Sequence, residues 1–136
     1  MFHDCYNLTA FNSDLSSLTN GHGMYEYCNN LSEFDSDLSS LESGERMFEG
    51  CHNLTTFIND LSSIKDVNYM FHRCSKLTTF TSNLSSLTDG NHMFYHSGIE
   101  SFTSDLSSLT NGYNMFHGCT KLTSFTTDLS SLTDGR

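Results

Sequence analysis

A solenoid of about six coils, each giving one short parallel β-strand and one helical or 3₁₀ turn, is the fold class that this 136-residue sequence predicts. Three observations predict it. The six methionines stand at Met1, Met24, Met47, Met70, Met93 and Met115, so the chain repeats every 23 residues, with one interval of 22. A second column holds every cysteine, Cys5, Cys28, Cys51, Cys74 and Cys119, with Ser97 in the sixth place. Between these columns each unit carries a Leu- or Ile-x-x-Phe segment and then an Asp- or Asn-Leu-Ser-Ser segment. A fixed period of about 20–50 residues marks a unit that cannot bury its apolar side alone and does so by stacking on copies of itself. The units run 1–23, 24–46, 47–69, 70–92, 93–114 and 115–136, as one repeat domain.

Each unit opens on Met-[Phe/Tyr]-x-x-Cys-x-x-Leu, as at Met70-Phe71-His72-Arg73-Cys74-Ser75-Lys76-Leu77. Apolar residues at i, i+1, i+4 and i+7 predict a single helical or 3₁₀ turn across one side of the coil. Next comes the strand. Leu77-Thr78-Thr79-Phe80-Thr81-Ser82 alternates with period two, placing Phe80 and Ser82 inward and Thr79 and Thr81 outward. Asp-Leu-Ser-Ser-Leu-Thr-x-Gly then closes the coil as a turn, its Asp and Ser side chains free to bond local backbone N–H groups. Gly21, Gly44, Gly90, Gly112 and Gly135 share the last position and are expected to supply positive φ, with Val67 relaxing to negative φ as the exception. The fifth unit is one residue shorter between Met93 and Ile99, a deletion expected in a turn. The inward set in the second unit is Met24, Tyr25, Cys28, Leu31, Phe34, Leu38 and Leu41, and in the fourth Met70, Phe71, Cys74, Leu77, Phe80, Leu84 and Leu87.

On the Met-Phe, Cys and Leu-Thr columns, at Met47-Phe48, Cys51 and Leu54-Thr55 and their equivalents in all six units, the chain resembles the BspA-like leucine-rich repeats of bacterial surface proteins. It departs from them in lacking proline and in placing Ser13, Ser36, Asn59, Ser82, Ser104 and Thr127 at an inward strand position that the family usually fills with an aliphatic residue. The resemblance implies a leucine-rich-repeat solenoid on an extracellular or cell-surface protein that binds host or matrix molecules. It carries no catalytic residues.

Charge narrows the partners. The chain carries 16 acidic and 6 basic side chains, for a net charge of −10, and eleven of the acids lie in residues 1–68 against Arg46 and Lys65 alone. Nucleic-acid binding rests on Lys and Arg neutralising phosphates, so such a partner is excluded. There is no 18-residue apolar run, and hence no expected membrane span. One cysteine per coil is not a pairing pattern; the column reads as a buried ladder of small apolar side chains.

The outward strand positions form the expected contact surface for a protein or glycan ligand: Glu33 and Asp35, Thr56 and Ile58, Thr79 and Thr81, Ser101 and Thr103, Ser124 and Thr126. Flat Thr-x-Thr arrays also look like the ice-contacting face of some β-solenoid antifreeze proteins, but Glu33, Asp35 and Ile58 interrupt this one. Asp14, Asp37, Asp60, Asp105 and Asp128, with Asn83 among them, form a ladder in which Ca²⁺ could bridge neighbouring coils. The simpler expectation is that each Asp accepts N–H bonds in its own turn, since neither an EF-hand nor a glycine-rich calcium repeat is present. His3, His72 and His117 stand two residues before a cysteine, but Glu26, Glu49 and Tyr95 take that column elsewhere, so no four-ligand metal centre is expected. Sequons at Asn7, Asn30, Asn53 and Asn83 read as by-products of the repeat. No nucleophile–base–acid arrangement stands out.

Function is therefore expected to be non-enzymatic adhesion or interaction, with no cofactor. The alternative is a structural subunit whose copies stack head to tail, suggested by Met1 standing in a core column rather than in a polar capping unit.

Overall fold

A computed structural model describes the whole chain, residues 1–136. It contains six two-residue strands, one per repeat: β1 (Ala10–Phe11), β2 (Glu33–Phe34), β3 (Thr56–Phe57), β4 (Thr79–Phe80), β5 (Ser101–Phe102) and β6 (Ser124–Phe125). They pair in parallel as β1–β2, β3–β4 and β5–β6, with Phe11 opposite Phe34, Phe57 opposite Phe80, and Phe102 opposite Phe125. A second line of parallel bridges runs unbroken through all six repeats at Asn20, Ser43, Asp66, Asp89, Asn111 and Asp134. Equivalent residues therefore lie one above another, and every column read from the sequence is a row along the stack.

The expected helical or 3₁₀ turn does not form. The Met-Phe-x-x-Cys segment is instead a ribbon of overlapping turns in which alternate N–H groups have different destinations. Met24, Glu26 and Cys28 donate three residues back, to Gly21, Gly23 and Tyr25, at 3.0, 3.2 and 3.0 Å. The intervening Gly23, Tyr25 and Tyr27 donate to Glu45, Met47 and Glu49 of the next coil, at 2.9, 2.9 and 2.7 Å. A helix would keep all these donors for itself; stacking takes every second one. The alternation requires left-handed backbone at two positions per coil. One column is Asp4, Tyr27, Gly50, Arg73, His96 and Gly118, and the other is Gly23, Arg46, Tyr69, His92 and Asn114, all at φ between 53° and 74°.

The closing-turn glycines are not among these residues, which corrects the expectation that they supply positive φ. Gly21, Gly44 and Gly90 are small because the methionine that opens the unit after next lies over them. A Cβ on Gly21 would stand 2.7 Å from Met47 Sδ, and one on Gly44 or Gly90 would stand 3.0 or 2.8 Å from Met70 or Met115 Sδ. The requirement is for space and not for backbone freedom. Val67 takes the same place, fully buried, and its φ is not positive.

The core is a continuous file of side chains along the stack axis. Phe2, Tyr25, Phe48, Phe71, Phe94 and Phe116 stack ring on ring at 5.4–5.6 Å. The strand phenylalanines Phe11, Phe34, Phe57, Phe80, Phe102 and Phe125 form a parallel stack at 5.7–6.1 Å. The two stacks meet edge to face, as Phe57 does with Phe48 at 5.3 Å and with Phe71 at 4.7 Å, an arrangement that favours the ring quadrupoles as well as apolar burial. The cysteines continue the core as free thiols, and each buried Sγ bonds a backbone carbonyl one coil back, Cys74 to Phe48 at 3.1 Å and Cys119 to Phe94 at 3.0 Å. Burial pushes the Cys51 and Cys74 thiols well above their ordinary range, so they stay protonated and unreactive. No helix is long and apolar enough to cross a membrane.

Candidate binding surfaces

Two long surfaces flank this core, one along the strands and one along the turn ribbon. Strand alternation puts Glu33, Thr56, Thr79, Ser101 and Ser124 outward, with Asp35, Ile58, Thr81, Thr103 and Thr126 two residues on. All ten are exposed, and Ile58 is the most prominent apolar one at 67%. At the inward place between and beyond them, Ser36, Ser82 and Ser104 are buried as expected, and their hydroxyls have no partner in the chain. Side chains of one column project side by side from neighbouring coils.

Beside it runs the aspartate row, and its geometry is local. Asp14, Asp37, Asp60, Asp105 and Asp128 each accept the N–H of the serine two residues on, at 2.8–2.9 Å, and Asn83 does the same with Ser85 at 3.0 Å. Bonds from Ser16, Ser39 and Ser107 hold Asp14, Asp37 and Asp105 below the usual carboxylate range, since each favours the ionised form. No three His, Cys, Asp or Glu side chains converge on a common point.

The ribbon surface is where the structure assembles residues that the sequence columns had left apart. Glu49 is buried, at 3% exposure, and accepts from the Tyr27 hydroxyl at 3.1 Å and from Arg46 Nη1 at 3.0 Å, with His72 Nδ1 also 3.0 Å away. The Glu49 charge is the main cause that raises the Tyr27 hydroxyl pKa. Further along, Tyr69 and His92 stack at 4.5 Å, and Tyr95 and His117 at 4.8 Å. His96 meets Tyr95 edge-on at 4.5 Å, while Arg46 lies over the Tyr69 ring at 4.9 Å. Burial lowers the pKa of His72, opposed by its bond to Glu49, and burial with the neighbouring His117 lowers that of His92. The column of His3, His72 and His117 accounts for only part of this assembly; the other signal in the sequence is the pair of columns just before each methionine, where Arg46, Tyr69 and His92 follow one another at intervals of 23.

The two surfaces treat charge differently. On the ribbon, Asp4, Glu26, Glu45 and Glu49 each lie within 4.0 Å of a histidine or arginine nitrogen, from His3, His22, Arg46 or His72. On the strand side Lys65 is 3.0 Å from Glu42, but Glu33, Asp35, Asp14, Asp37 and Asp60 pair with no cation. Five carboxylates with no cation beside them thus line the strand side of the first three coils.

A family model described as Mycoplasma protein of unknown function, DUF285, matches residues 22–132. No curated protein and no solved structure matches the chain.

Proposed function

The chain belongs to the family described as Mycoplasma protein of unknown function, DUF285, and from that premise we propose that it is a non-enzymatic interaction module of an extracellular or cell-surface protein. Its kinship with BspA-like leucine-rich repeats, and with them surface display and adhesion, is part of this proposal. The observation that carries it is the strand surface. Ten outward side chains in register vary freely between Glu, Asp, Thr, Ser and Ile, whereas the inward Phe of the same strands does not vary at all. A file of buried rings needs constancy, and a contact surface tolerates difference. The core is filled by side chains, so a substrate would have to react on an open surface, which suits recognition better than catalysis.

The deciding experiment probes arrays of glycans and matrix proteins with the purified chain and with a Thr79→Arg, Ser101→Arg double variant, whose core is untouched. Binding that the wild type shows and the variant loses is the expected result. A variant that retains every wild-type interaction sinks the strand-surface reading.

A second reading, copies stacked head to tail, is favoured by the polarity of the inter-coil bonds. On the ribbon each coil donates to the coil after it; beside the strands each coil donates to the one before, as Asp35 does to Phe11 at 2.9 Å. A coil of another copy therefore continues the bonding only in head-to-tail order. Light scattering that gives a single monomeric mass at high concentration removes this reading.

A further inference from the structure

The strand surface is open at two junctions, β2–β3 and β4–β5, and at the first of them the strand carboxylates Glu33 and Asp35 line the opening. Asp35 of the second coil donates to Phe11 O at 2.9 Å, and Thr81 of the fourth donates to Phe57 O at 3.2 Å, but Ile58 of the third makes no such bond to Phe34, and Thr56 makes none to Ser32. β2 and β3 are accordingly unpaired. The carbonyls of Ser32 and Phe34 accept no hydrogen bond, and the N–H groups of Thr56 and Ile58 donate none. The ribbon side of the same junction remains closed by the Tyr25–Met47 and Tyr27–Glu49 bonds, and beneath it Phe34 and Phe57 stack at 6.1 Å. The opening is therefore confined to the surface. It forms a solvent-open hollow of about 420 Å³ whose lining includes Ser32, Glu33, Asp35, Thr56 and Ile58.

We infer that this hollow takes an arginine-bearing extended segment of a partner protein; the inference rests on the strand surface being the contact surface. The Glu33 and Asp35 carboxylates have no ion pair, and the two free carbonyls beside them are also acceptors, so the ligand must bring donors and positive charge. A guanidinium supplies five N–H donors in a fixed planar fork, no acceptor and a permanent charge, which matches a site made of two carboxylates and two carbonyls. Lysine's single ammonium reaches fewer of them. A divalent cation does not fit, because no third ligand converges and carboxylates two residues apart on a strand leave it by roughly 6.6 Å of rise. The free N–H groups of Thr56 and Ile58 ask for backbone carbonyls, which an extended peptide provides and free guanidine does not. Exposed Ile58 adds the requirement for an aliphatic side chain next to the arginine.

Fluorescence anisotropy with a labelled hexapeptide of alternating arginine and valine tests the assignment, with the same peptide carrying citrulline for arginine as the uncharged control. Substituting Glu33→Gln together with Asp35→Asn is expected to weaken arginine-peptide binding by about five- to thirtyfold, the yield of two exposed charge contacts. Glu100→Gln with Asp105→Asn removes the same charge outside the hollow and is expected to leave binding within about twofold, while Ile58→Ser weakens it severalfold. Equal losses from the two double variants, or equal affinity for the arginine and citrulline peptides, overturn the proposal. If the arginine peptide fails to bind while the Thr79→Arg, Ser101→Arg variant still loses its array ligands, the arginine assignment falls and the strand-surface reading stands.

Discussion

Arg73 holds φ at 59° immediately before a buried cysteine, with no hydrogen bond or ion pair from its guanidinium to compensate. A left-handed backbone places Cβ against its own carbonyl, which costs a non-glycine residue about 1–2 kcal/mol, and glycine escapes that cost while losing more chain entropy on folding. Arg73→Gly is therefore expected to stabilise the protein by about 0.5–1 kcal/mol in urea unfolding. A destabilised variant would mean that the ribbon does not hold this conformation in solution. The same column shows that glycine has a second use here. At Gly50 a Cβ would run into the ring of Tyr27 from the preceding coil, so the residue answers both to backbone angle and to a close neighbour.

At the scale of the ribbon, acid is the relevant perturbation. His72 and His92 have folded pKa values below their ordinary value, because burial and neighbouring charges disfavour the imidazolium. The unfolded chain then binds protons more readily than the folded one, so stability is full above about pH 6.5 and falls as pH drops through that value. Thermal unfolding followed from pH 8 to pH 5 is expected to show this loss, and His92→Asn to reduce it, since asparagine tolerates the left-handed backbone and Asn114 already occupies that column. The lowered pKa values of Asp14, Asp37 and Asp105 act in a separate window, costing stability only below about pH 4. A pH profile flat down to pH 5 would show that the ribbon histidines are more solvated than their packing implies. The ribbon is also where sequence reading met its limit. Period and alternation made the stack, the buried columns and the outward Thr, Ser, Glu and Asp legible, because each depends only on which side of the coil a residue faces. The spacing Met24, Tyr25, Cys28, Leu31 fits a helical turn equally well, and only the diversion of alternate N–H groups to the next coil decides against it. That diversion leaves no mark on side-chain chemistry, as Asp4, Tyr27, Arg73 and His96 in one left-handed column show. The openings between β2 and β3 and between β4 and β5 were equally invisible, since those strands recur along the sequence at the same spacing, within one residue, as the paired ones.

Across the whole molecule, stability is expected to be distributed by junction, each coil contacting only its neighbours. The amide protons of Thr56 and Ile58 should therefore exchange with solvent faster than those of Thr79 and Thr81, which sit in the same columns one coil on and are bonded to Thr55 and Phe57 at 3.3 and 3.2 Å. Exchange measured by NMR at neutral pH checks this, and equal protection of the two pairs would mean that the β2–β3 junction closes in solution. The opposed senses of the inter-coil bonds have an electrical consequence as well. In an α-helix all peptide dipoles point one way and sum to partial charges at the two ends. Here the N–H vectors of the ribbon point toward later coils and those beside the strands point toward earlier ones, so the two arrays of dipoles run antiparallel and largely cancel. The stack has a chemical direction without a corresponding voltage, and the field it presents to a partner is set by its side chains.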